Sequence, residues 1–375
     1  MTREVSLYLD GVRFLAALLV FLGHFATQAI SGGVFWQIAP LRHDAVIVFF
    51  VLSGFVIAHA VGRGETDVRT YIVNRAARIY SVAAPAIAIS LGLTAAAQYF
   101  DPNFCAWGCS RGPVWAQFGT SMAFVNQVWG VYYFPGANGP FWSLGYEVPY
   151  YAAFGLAWFA RGIWRTLAPL AVMAAAGPDI AILFPVWFLG VGIYRAGTFG
   201  LSQTAGWALF LVSLSVWTSL ALWTLTTDAW ILDFPIAGLA RERLPADYAT
   251  ALVFAANVVG FRVVGHRFAA LVRRVEIPVR WLAARTFTLY LLHFPIMKCL
   301  SAFLPWGIET TATRLTTFCG TLLAVAVAAQ CFELNKQPWR QFFHRCADMF
   351  GPARQPPDTP PSAPEAPSPP ECQHP

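Results

Sequence analysis

The sequence predicts an all-α, polytopic integral membrane protein built as a bundle of about ten transmembrane helices. Of its 375 residues, 57% are hydrophobic and only 12% are charged, and the mean hydropathy is +0.54. Soluble domains carry roughly twice that charged fraction. Apolar runs recur along the chain, each close to the roughly 20 residues that a helix needs to cross a bilayer. An ordinary soluble domain is therefore excluded.

The predicted spans follow one another from the N-terminus. No small-residue cleavage site follows the first apolar run, so this run is expected to be a retained helix. The ten spans are expected at 12–30, 44–62, 80–99, 141–160, 165–177, 180–196, 206–226, 247–265, 286–304 and 313–333. The fifth span is short and is the weakest of the set. Residues 117–134 are apolar enough to form a re-entrant or interfacial helix instead.

Arginine placement predicts the orientation of these helices. With the N-terminus inside, the cytoplasmic loops hold Arg63, Arg69, Arg75, Arg78, Arg161, Arg165, Arg267, Arg273, Arg274 and Arg280. The outer loops hold Arg42, Arg111, Arg241 and Arg243. This asymmetry fits the positive-inside rule, and ten spans return the C-terminus to the cytoplasm. The net charge of +6 comes from these loops, so it does not indicate nucleic acid as a partner.

Two regions lie outside the predicted bundle. Residues 100–140 form a long external loop with Cys105 and Cys109 four residues apart. On an oxidising face these cysteines can form a disulfide, and two unpaired thiols are an equally weighted alternative. The other five cysteines are scattered without metal-ligand spacing, so no metal site is expected. Residues 351–375 contain ten prolines, and we expect them to form a disordered cytoplasmic tail after a transmembrane domain at 1–350.

The first predicted helix carries two ionisable residues on one face. His24 follows Arg13 by eleven residues, which at 100° per residue is three turns plus about 20°, or roughly 16 Å along the axis. Ionisable groups at membrane depth usually face the bundle interior and mark a pathway or a reaction site. Histidine suits proton transfer near neutral pH. The alternative, of equal weight, is a histidine bonded to a neighbouring helix, with Arg13 as a topology anchor.

Polar residues also occur in other predicted helices. Ser53 and Gly54 in "FFVLSGFVIAH" are small and allow close approach of another segment. Glu147 lies about two turns inside its helix, where a carboxylate is costly unless it is paired, and a histidine from another helix is a natural partner. His293 in "LYLLHFPI" is another buried histidine. Structural hydrogen bonding is the favoured interpretation of His293.

Arg75 and Arg78 in "NRAARIY" are three residues apart at a predicted helix start on the cytoplasmic side. Two guanidinium groups on one face can hold phosphates in a bidentate manner. The alternative, favoured by spacing alone, is simple positive-inside anchoring.

Taken in order, these stretches resemble the membrane-bound acyltransferase-3 family. The matching features are "LDGVRF" with a histidine eleven residues after its arginine, "FFVLSGF", the Arg-x-x-Arg pair, "WSLGYE" and "YLLHFP". The resemblance covers roughly residues 7 to 335. Phe14 stands where the family usually has glycine, and Ser81 stands where proline is common. Both differences are expected to adjust packing alone.

The resemblance implies transfer of an acyl group, foremost acetyl, from cytoplasmic acyl-CoA to a hydroxyl of a cell-surface or exported carbohydrate or a glycosylated small molecule. It implies a multi-pass protein of the bacterial inner membrane, with both termini in the cytoplasm. Acyl-CoA is then a co-substrate, and no bound cofactor is expected. The residues assigned are His24 and Glu147 for catalysis, Arg13, Arg75 and Arg78 for acyl-CoA binding, and Asp10, Ser53, Trp142, Ser143 and His293 in support.

A physical interpretation of the same residues agrees with this arrangement. The phosphates of coenzyme A would bind Arg75 and Arg78, with Arg13 nearby. The pantetheine arm, of order 15–20 Å, would run along the first helix to His24. His24 would act as general base, or alternatively as a nucleophile. Glu147 would orient His24 as a carboxylate does in a hydrolase triad.

Two other classes of protein are weighed against this interpretation. A transporter or flippase would use the same ionisable residues as a substrate or proton path, but the sequence lacks inverted-repeat symmetry and matching broken helices. A structural or sensory membrane protein leaves the intramembrane charges unexplained. The sequence also lacks a G-x-S-x-G elbow, a phosphate-binding P-loop and an H-E-x-x-H zinc helix.

Overall fold

The computed structural model describes residues 1–65, 67–226 and 243–349. These residues form α-helices and short 3₁₀ turns, with no strand in the described ranges. The α-helices are α1 (Arg3–Phe25), α2 (Gln28–Ser31), α3 (Leu41–Val61), α4 (Val68–Phe100), α5 (Val114–Met122), α6 (Leu144–Phe159), α7 (Trp164–Ala176), α8 (Pro178–Ala196), α9 (Gln203–Thr226), α10 (Leu244–Val264), α11 (Ala269–Ala283), α12 (Thr286–Phe303), α13 (Thr311–Cys331) and α14 (Gln337–Met349).

The predicted all-α membrane bundle is confirmed. Within the described residues, 8 helical segments are long and apolar enough to cross a membrane. They contain α1, α3, α4, α8, α9, α10, α12 and α13. The predicted spans 141–160 and 165–177 correspond to α6 and α7, which have only 16 and 13 residues. These two helices are shorter than a straight crossing needs.

Capping residues extend two helices beyond the predicted spans. α1 begins at Arg3, well before the predicted start at 12, because the Thr2 side chain accepts a hydrogen bond from the Val5 N–H. Asp67 caps α4 in the same way, with 2.8 Å from the Thr70 nitrogen to Oδ1. That backbone hydrogen bond lowers the pKa of Asp67. Residues 74–80 therefore lie inside α4 and not at the expected helix start.

The bundle has two opposite faces, the N-terminal face and the loop face. The N-terminal face is the one where α1 begins. Arg3 forms an ion pair there with Glu276 of α11, and Arg69 near the start of α4 forms one with Asp348 of α14. The loop face is the opposite one, where α1 ends and residues 101–143 lie. The predicted tail, 351–375, and Arg241 lie outside the described residues.

Two glycines bring α3 and α8 into backbone contact, as predicted for Gly54. A Cβ atom added at Gly54 would lie 2.0 Å from the Trp187 carbonyl oxygen, and one added at Gly190 would lie 2.0 Å from the Val51 carbonyl oxygen. Only a residue without a side chain fits at either position. This crossing places Ser53 beside Trp187, whose Nε1–H donates to Ser53 Oγ at 3.1 Å.

The long connection on the loop face is anchored at two points. Cys105 and Cys109 form a disulfide with a Cα–Cα distance of 5.3 Å, which resolves the two alternatives for these cysteines. Lys298 of α12 is buried against this loop, with its Nζ donating to the Trp107 carbonyl. The apolar stretch predicted at 117–134 contains the end of α5, a helix of 9 residues that is too short to span. Tyr80 of α4 donates to the Met122 carbonyl at 2.8 Å, so this stretch packs against the bundle.

Candidate active site

A cavity of about 290 Å³ lies between α1, α3, α4, α6, α12 and the turn after α13. Its lining residues on α3 extend from Val46 to Ile57, which is roughly 16 Å of helix. Arg13, Arg78 and Lys336 line its part nearer the N-terminal face. Ser143 on the loop-face side of α6 also lines it. The cavity is therefore long enough for an extended chain with a charged end.

Two of the cations in the lining differ in how they are paired. Arg13 forms an ion pair with Asp10, which also accepts from Arg280 at 3.0 Å. Asp10 thus joins Arg13 of α1 to Arg280 of α11. The Arg78 side chain is exposed, and its guanidinium group forms no hydrogen bond or ion pair within the part of the chain that the structure describes. Its guanidinium group is therefore available to an anionic ligand.

Arg75, expected to hold phosphates together with Arg78, is already paired with a carboxylate. The Arg75 Nη2 lies 2.6 Å from Oε1 of the buried Glu65, and Asn74 donates to the same oxygen at 2.9 Å. Arg75 also lies over the Tyr71 ring, 5.8 Å from its centroid, and does not line the cavity. The carboxylate before α4 therefore pairs with one arginine and leaves the other free. Lys336, which belongs to none of the predicted motifs, lines the cavity with Arg13 and Arg78.

Glu147 lies in the wall of the cavity and belongs to a hydrogen-bonded group. Ser53 Oγ donates to Glu147 Oε1 at 2.6 Å, and the Tyr151 hydroxyl donates to the same oxygen. Trp187 fixes Ser53 from the other side. Ser53 thus holds Glu147, and one oxygen of the carboxylate accepts from neighbours on α3 and α6.

His24 forms its side-chain pair with His293 instead. Nδ1 of His24 lies 3.0 Å from Nε2 of His293, and Nδ1 of His293 lies 2.8 Å from the Leu289 carbonyl oxygen. A carbonyl oxygen only accepts, so the proton of neutral His293 is assigned to Nδ1, and its Nε2 accepts from His24. The same Nδ1 of His24 lies 3.0 Å from the Val20 carbonyl oxygen. Nε2 of His24 is then left with a lone pair, which is the form that a general base requires.

The expected hydrogen bond between Glu147 and His24 is therefore replaced by the His24–His293 pair. α6 packs Glu147 against Ser53 of α3, whereas α1 brings His24 to α12. His293 is fully buried and hydrogen-bonded, as expected for a structural histidine, but its partner is His24 itself.

Neither His24 nor His293 lines the cavity, and the lining residue nearest to His293 along α12 is Tyr290. It lines the cavity and precedes His293 by three residues on α12, which is roughly 4.5 Å of helix. Its hydroxyl lies 2.8 Å from Ser143 Oγ and 3.0 Å from the Pro140 carbonyl oxygen. Trp142 does not line the cavity, and its ring lies parallel to that of His43 with 6.3 Å between centroids. The "WSLGYE" segment thus forms one end of the cavity wall.

Glu333 completes the site near the start of α12. Its carboxylate accepts from the Thr288 backbone N–H at 2.9 Å and from the Thr288 hydroxyl at 2.8 Å. It also lines the cavity with Lys336. The described residues contain no group of three or more His, Cys, Asp or Glu side chains placed to hold a metal ion. Neither Glu333 nor Lys336 belongs to a motif, so the sequence offered no signal for them.

Comparison with known proteins gives two matches. The family model described as acyltransferase domain (Acyl_transf_3) matches residues 6–331. Acyltransferase MdmB of Streptomyces mycarofaciens is 31% identical over 192 residues, which cover 47% of this chain and 47% of that protein. The match thus spans about half the length of the curated relative. No solved structure matches the chain.

Proposed function

The chain belongs to the acyltransferase-3 family, and from this premise we propose that it is a membrane O-acyltransferase using acyl-CoA. The acyl group, acetyl in the simplest case, would pass to a hydroxyl of a cell-surface or exported carbohydrate or of a glycosylated small molecule. The observation that carries the proposal is the cavity, which has the free Arg78 near one end and Tyr290, one turn from the histidine pair, near the other.

The donor would enter from the N-terminal face. Its phosphates would contact Arg78, Lys336 and Arg13, because charge-assisted contacts between arginine and phosphate are strong. Its pantetheine arm, of order 15–20 Å, is comparable with the roughly 16 Å spanned by the lining residues of α3. The thioester would then lie near Tyr290. Arg75 has no part in this proposal.

His24 would carry the chemistry on the acceptor. Its Nε2 would take the proton of the acceptor hydroxyl while the hydroxyl oxygen attacks the thioester carbon. Collapse of the tetrahedral intermediate breaks the carbon–sulfur bond, and the CoA thiolate receives the proton from the His24 imidazolium. The ester and CoA–SH are the products. His293 would hold the reactive tautomer of His24, the role that a carboxylate has in a hydrolase triad.

Glu147 would act on the donor and not on His24. Its carboxylate lines the cavity between the arginines and Tyr290, and the described hydrogen bonds all reach its Oε1. An amide N–H of the pantetheine arm is the type of donor that a carboxylate oxygen accepts in such a wall. Glu147 would therefore position the arm.

The N-terminal face would be cytoplasmic. Arg3, Arg69 and Arg280 lie on it or near it, in agreement with the positive-inside rule. This orientation places both termini in the cytoplasm, where acyl-CoA is available, and the disulfide-bonded loop outside. In a bacterium the membrane would be the inner one.

The test uses the purified full chain in sealed proteoliposomes with acetyl-CoA labelled in the acetyl group. Membrane glycans from the expression host serve as the acceptor pool, and His24→Ala is the matched control. Release of CoA–SH with label in an ester of the glycan fraction supports the proposal. Uptake of intact acetyl-CoA without thioester cleavage would show a transporter, and no label above the control would overturn acyl transfer.

A further inference from the structure

A histidine–carboxylate pair lies on the loop face. His43 Nε2 is 2.9 Å from Asp247 Oδ1, and the side chains are 30% and 2% exposed. An ionised carboxylate only accepts, so Nε2 of neutral His43 carries the proton and Nδ1 has the lone pair. Nδ1 has no hydrogen-bond partner in the described ranges. His43 is therefore a partly exposed acceptor held in one orientation by a buried aspartate.

His43 stands next to the outer end of the cavity. It precedes the cavity-lining Val46 by three residues on α3, roughly 4.5 Å of helix. Its ring is parallel to that of Trp142, which directly precedes the cavity-lining Ser143. A molecule that approaches the cavity end from the loop face thus meets His43 and Trp142 first.

The same region adjoins the histidine pair. Arg42, next to His43 in sequence, donates to the carbonyl oxygen of Gly23 at 3.5 Å, and Gly23 directly precedes His24. This contact holds the start of α3 against the end of α1, so a ligand on His43 and Trp142 would lie on the same side of the bundle as His24 and the loop-face end of the cavity. Neither motif matching nor the described donor cavity assigns a role to His43 or Asp247.

The charges around His43 balance. Arg243 forms an ion pair with Asp44 at 3.2 Å, and Arg42 and Asp247 add one charge of each sign. With His43 neutral, the region has no net charge, so it favours a neutral ligand over an ionic one. An imidazole acceptor beside an indole ring fits a sugar, whose hydroxyls donate hydrogen bonds and whose C–H face packs against an aromatic ring.

We propose that His43, held by Asp247, and Trp142 form the acceptor subsite and bind a neutral pyranose ring. His43 Nδ1 accepts a hydrogen bond from one ring hydroxyl, and this contact presents another hydroxyl to His24. The inference rests on the proposed function, because it assigns the acceptor side of the same reaction. In this proposal His43 binds the acceptor and does not contact the acyl donor.

The experiment measures acetyl transfer from acetyl-CoA to three methyl glycosides, of glucose, galactose and mannose, and to methyl glucuronide. The variants are His43→Ala and the isosteric Asp247→Asn, and His266→Ala on the N-terminal face is the control. Loss of one hydrogen bond predicts a rise of about tenfold in the KM of the best neutral glycoside for His43→Ala. The KM for acetyl-CoA and the slow hydrolysis of acetyl-CoA without glycoside should change less than twofold.

Several results would overturn the inference. The first is an acceptor KM that is the same in His43→Ala, Asp247→Asn and the control. The second is a higher kcat/KM for methyl glucuronide than for the neutral glycosides. The third is labelling of host glycans without transfer to any methyl glycoside. Should His43→Ala fail to fold, Asp247→Asn and calorimetric binding of the glycosides decide the matter. Failure of the proposed function has another signature, because wild-type protein would then not cleave acetyl-CoA with any acceptor.

Discussion

His24 and His293 share a hydrogen bond of 3.0 Å that joins α1 to α12 across 269 positions of the chain. The partner of the candidate base is thus a neutral imidazole and not a carboxylate. A neutral partner fixes the tautomer of the base, but it does not offset the positive charge that the base acquires. The chain of hydrogen bonds ends at the Leu289 carbonyl oxygen, 2.8 Å from Nδ1 of His293.

We expect His24→Ala to abolish transfer while the protein still folds and binds acetyl-CoA. A general base contributes typically 10²–10⁴-fold. The measurement is turnover by folded protein in lipid. Binding of acetyl-CoA to the variant is measured separately as a Kd. His266→Ala, which removes an exposed histidine, should keep wild-type turnover. Wild-type turnover in His24→Ala would leave His24 as a packing residue.

His293→Ala should lower kcat by about 10- to 100-fold, because the tautomer and orientation of His24 are no longer fixed. The residues act as a unit, so the double variant with His24→Ala should be no slower than His24→Ala alone. Steady-state kinetics of both single variants and the double variant check this. Additive losses would mean that His293 acts independently of His24.

Arg78→Ala should raise the KM for acetyl-CoA by about tenfold or more, because a charge-assisted contact to phosphate is lost. Arg78→Lys should recover part of the effect, since lysine lacks the planar fork. Titration of the rate with acetyl-CoA, and with dephospho-CoA thioester for comparison, measures the contact.

Arg75→Ala is the matched control for Arg78 and should leave the KM for acetyl-CoA unchanged. It should lower the melting temperature instead, because it leaves the buried Glu65 carboxylate without its ion pair. If Arg75→Ala raised the KM as strongly as Arg78→Ala does, the assignment of Arg75 to structure would be wrong.

Glu147→Gln should raise the KM for acetyl-CoA more than it lowers kcat, because Glu147 lines the cavity proposed for the donor and contacts Ser53 and Tyr151. Ser53→Ala should also raise the KM for acetyl-CoA. A fall in kcat with an unchanged KM for acetyl-CoA would instead mean that Glu147 takes part in catalysis with His24.

Cysteine labelling in intact cells tests the orientation. After mild reduction, a membrane-impermeant maleimide should label Cys105 and Cys109 from outside. Cys346 on α14 should react only after permeabilisation, and Cys346→Ser gives the background. Labelling of Cys346 in intact cells would reverse the proposed topology.

The sequence predicts the helices far better than it predicts their partners. Apolar runs are local, so the positions of α3, α8, α12 and α13 follow directly from hydropathy. The early start of α1 depends on a single side chain, the Thr2 cap, which an apolar run does not reveal. Hydropathy therefore predicts where a membrane helix lies but not the residue at which it begins or ends.

The site was only partly predictable for a related reason. Arg13 and Ser53 lie where their motifs suggested, because each motif belongs to one helix. In contrast, no spacing rule predicts that His24 bonds to His293. None predicts either that Glu65 pairs with Arg75 and not with Arg78. Those pairings depend on how helices pack and on which carboxylate lies nearest.

The Gly54–Gly190 crossing has a consequence for how this enzyme can be altered. At each position the atom that blocks a new Cβ is a main-chain oxygen 2.0 Å away, so trimming a neighbouring side chain cannot make room. A methyl group at residue 54 can be accommodated only if α3 slides or lifts relative to α8, and Ser53 would move with it. The hydroxyl that holds Glu147 would then leave its place in the cavity wall. Engineering for a bulkier acyl donor should therefore change side chains such as Phe49 or Leu144 and leave the two glycines alone.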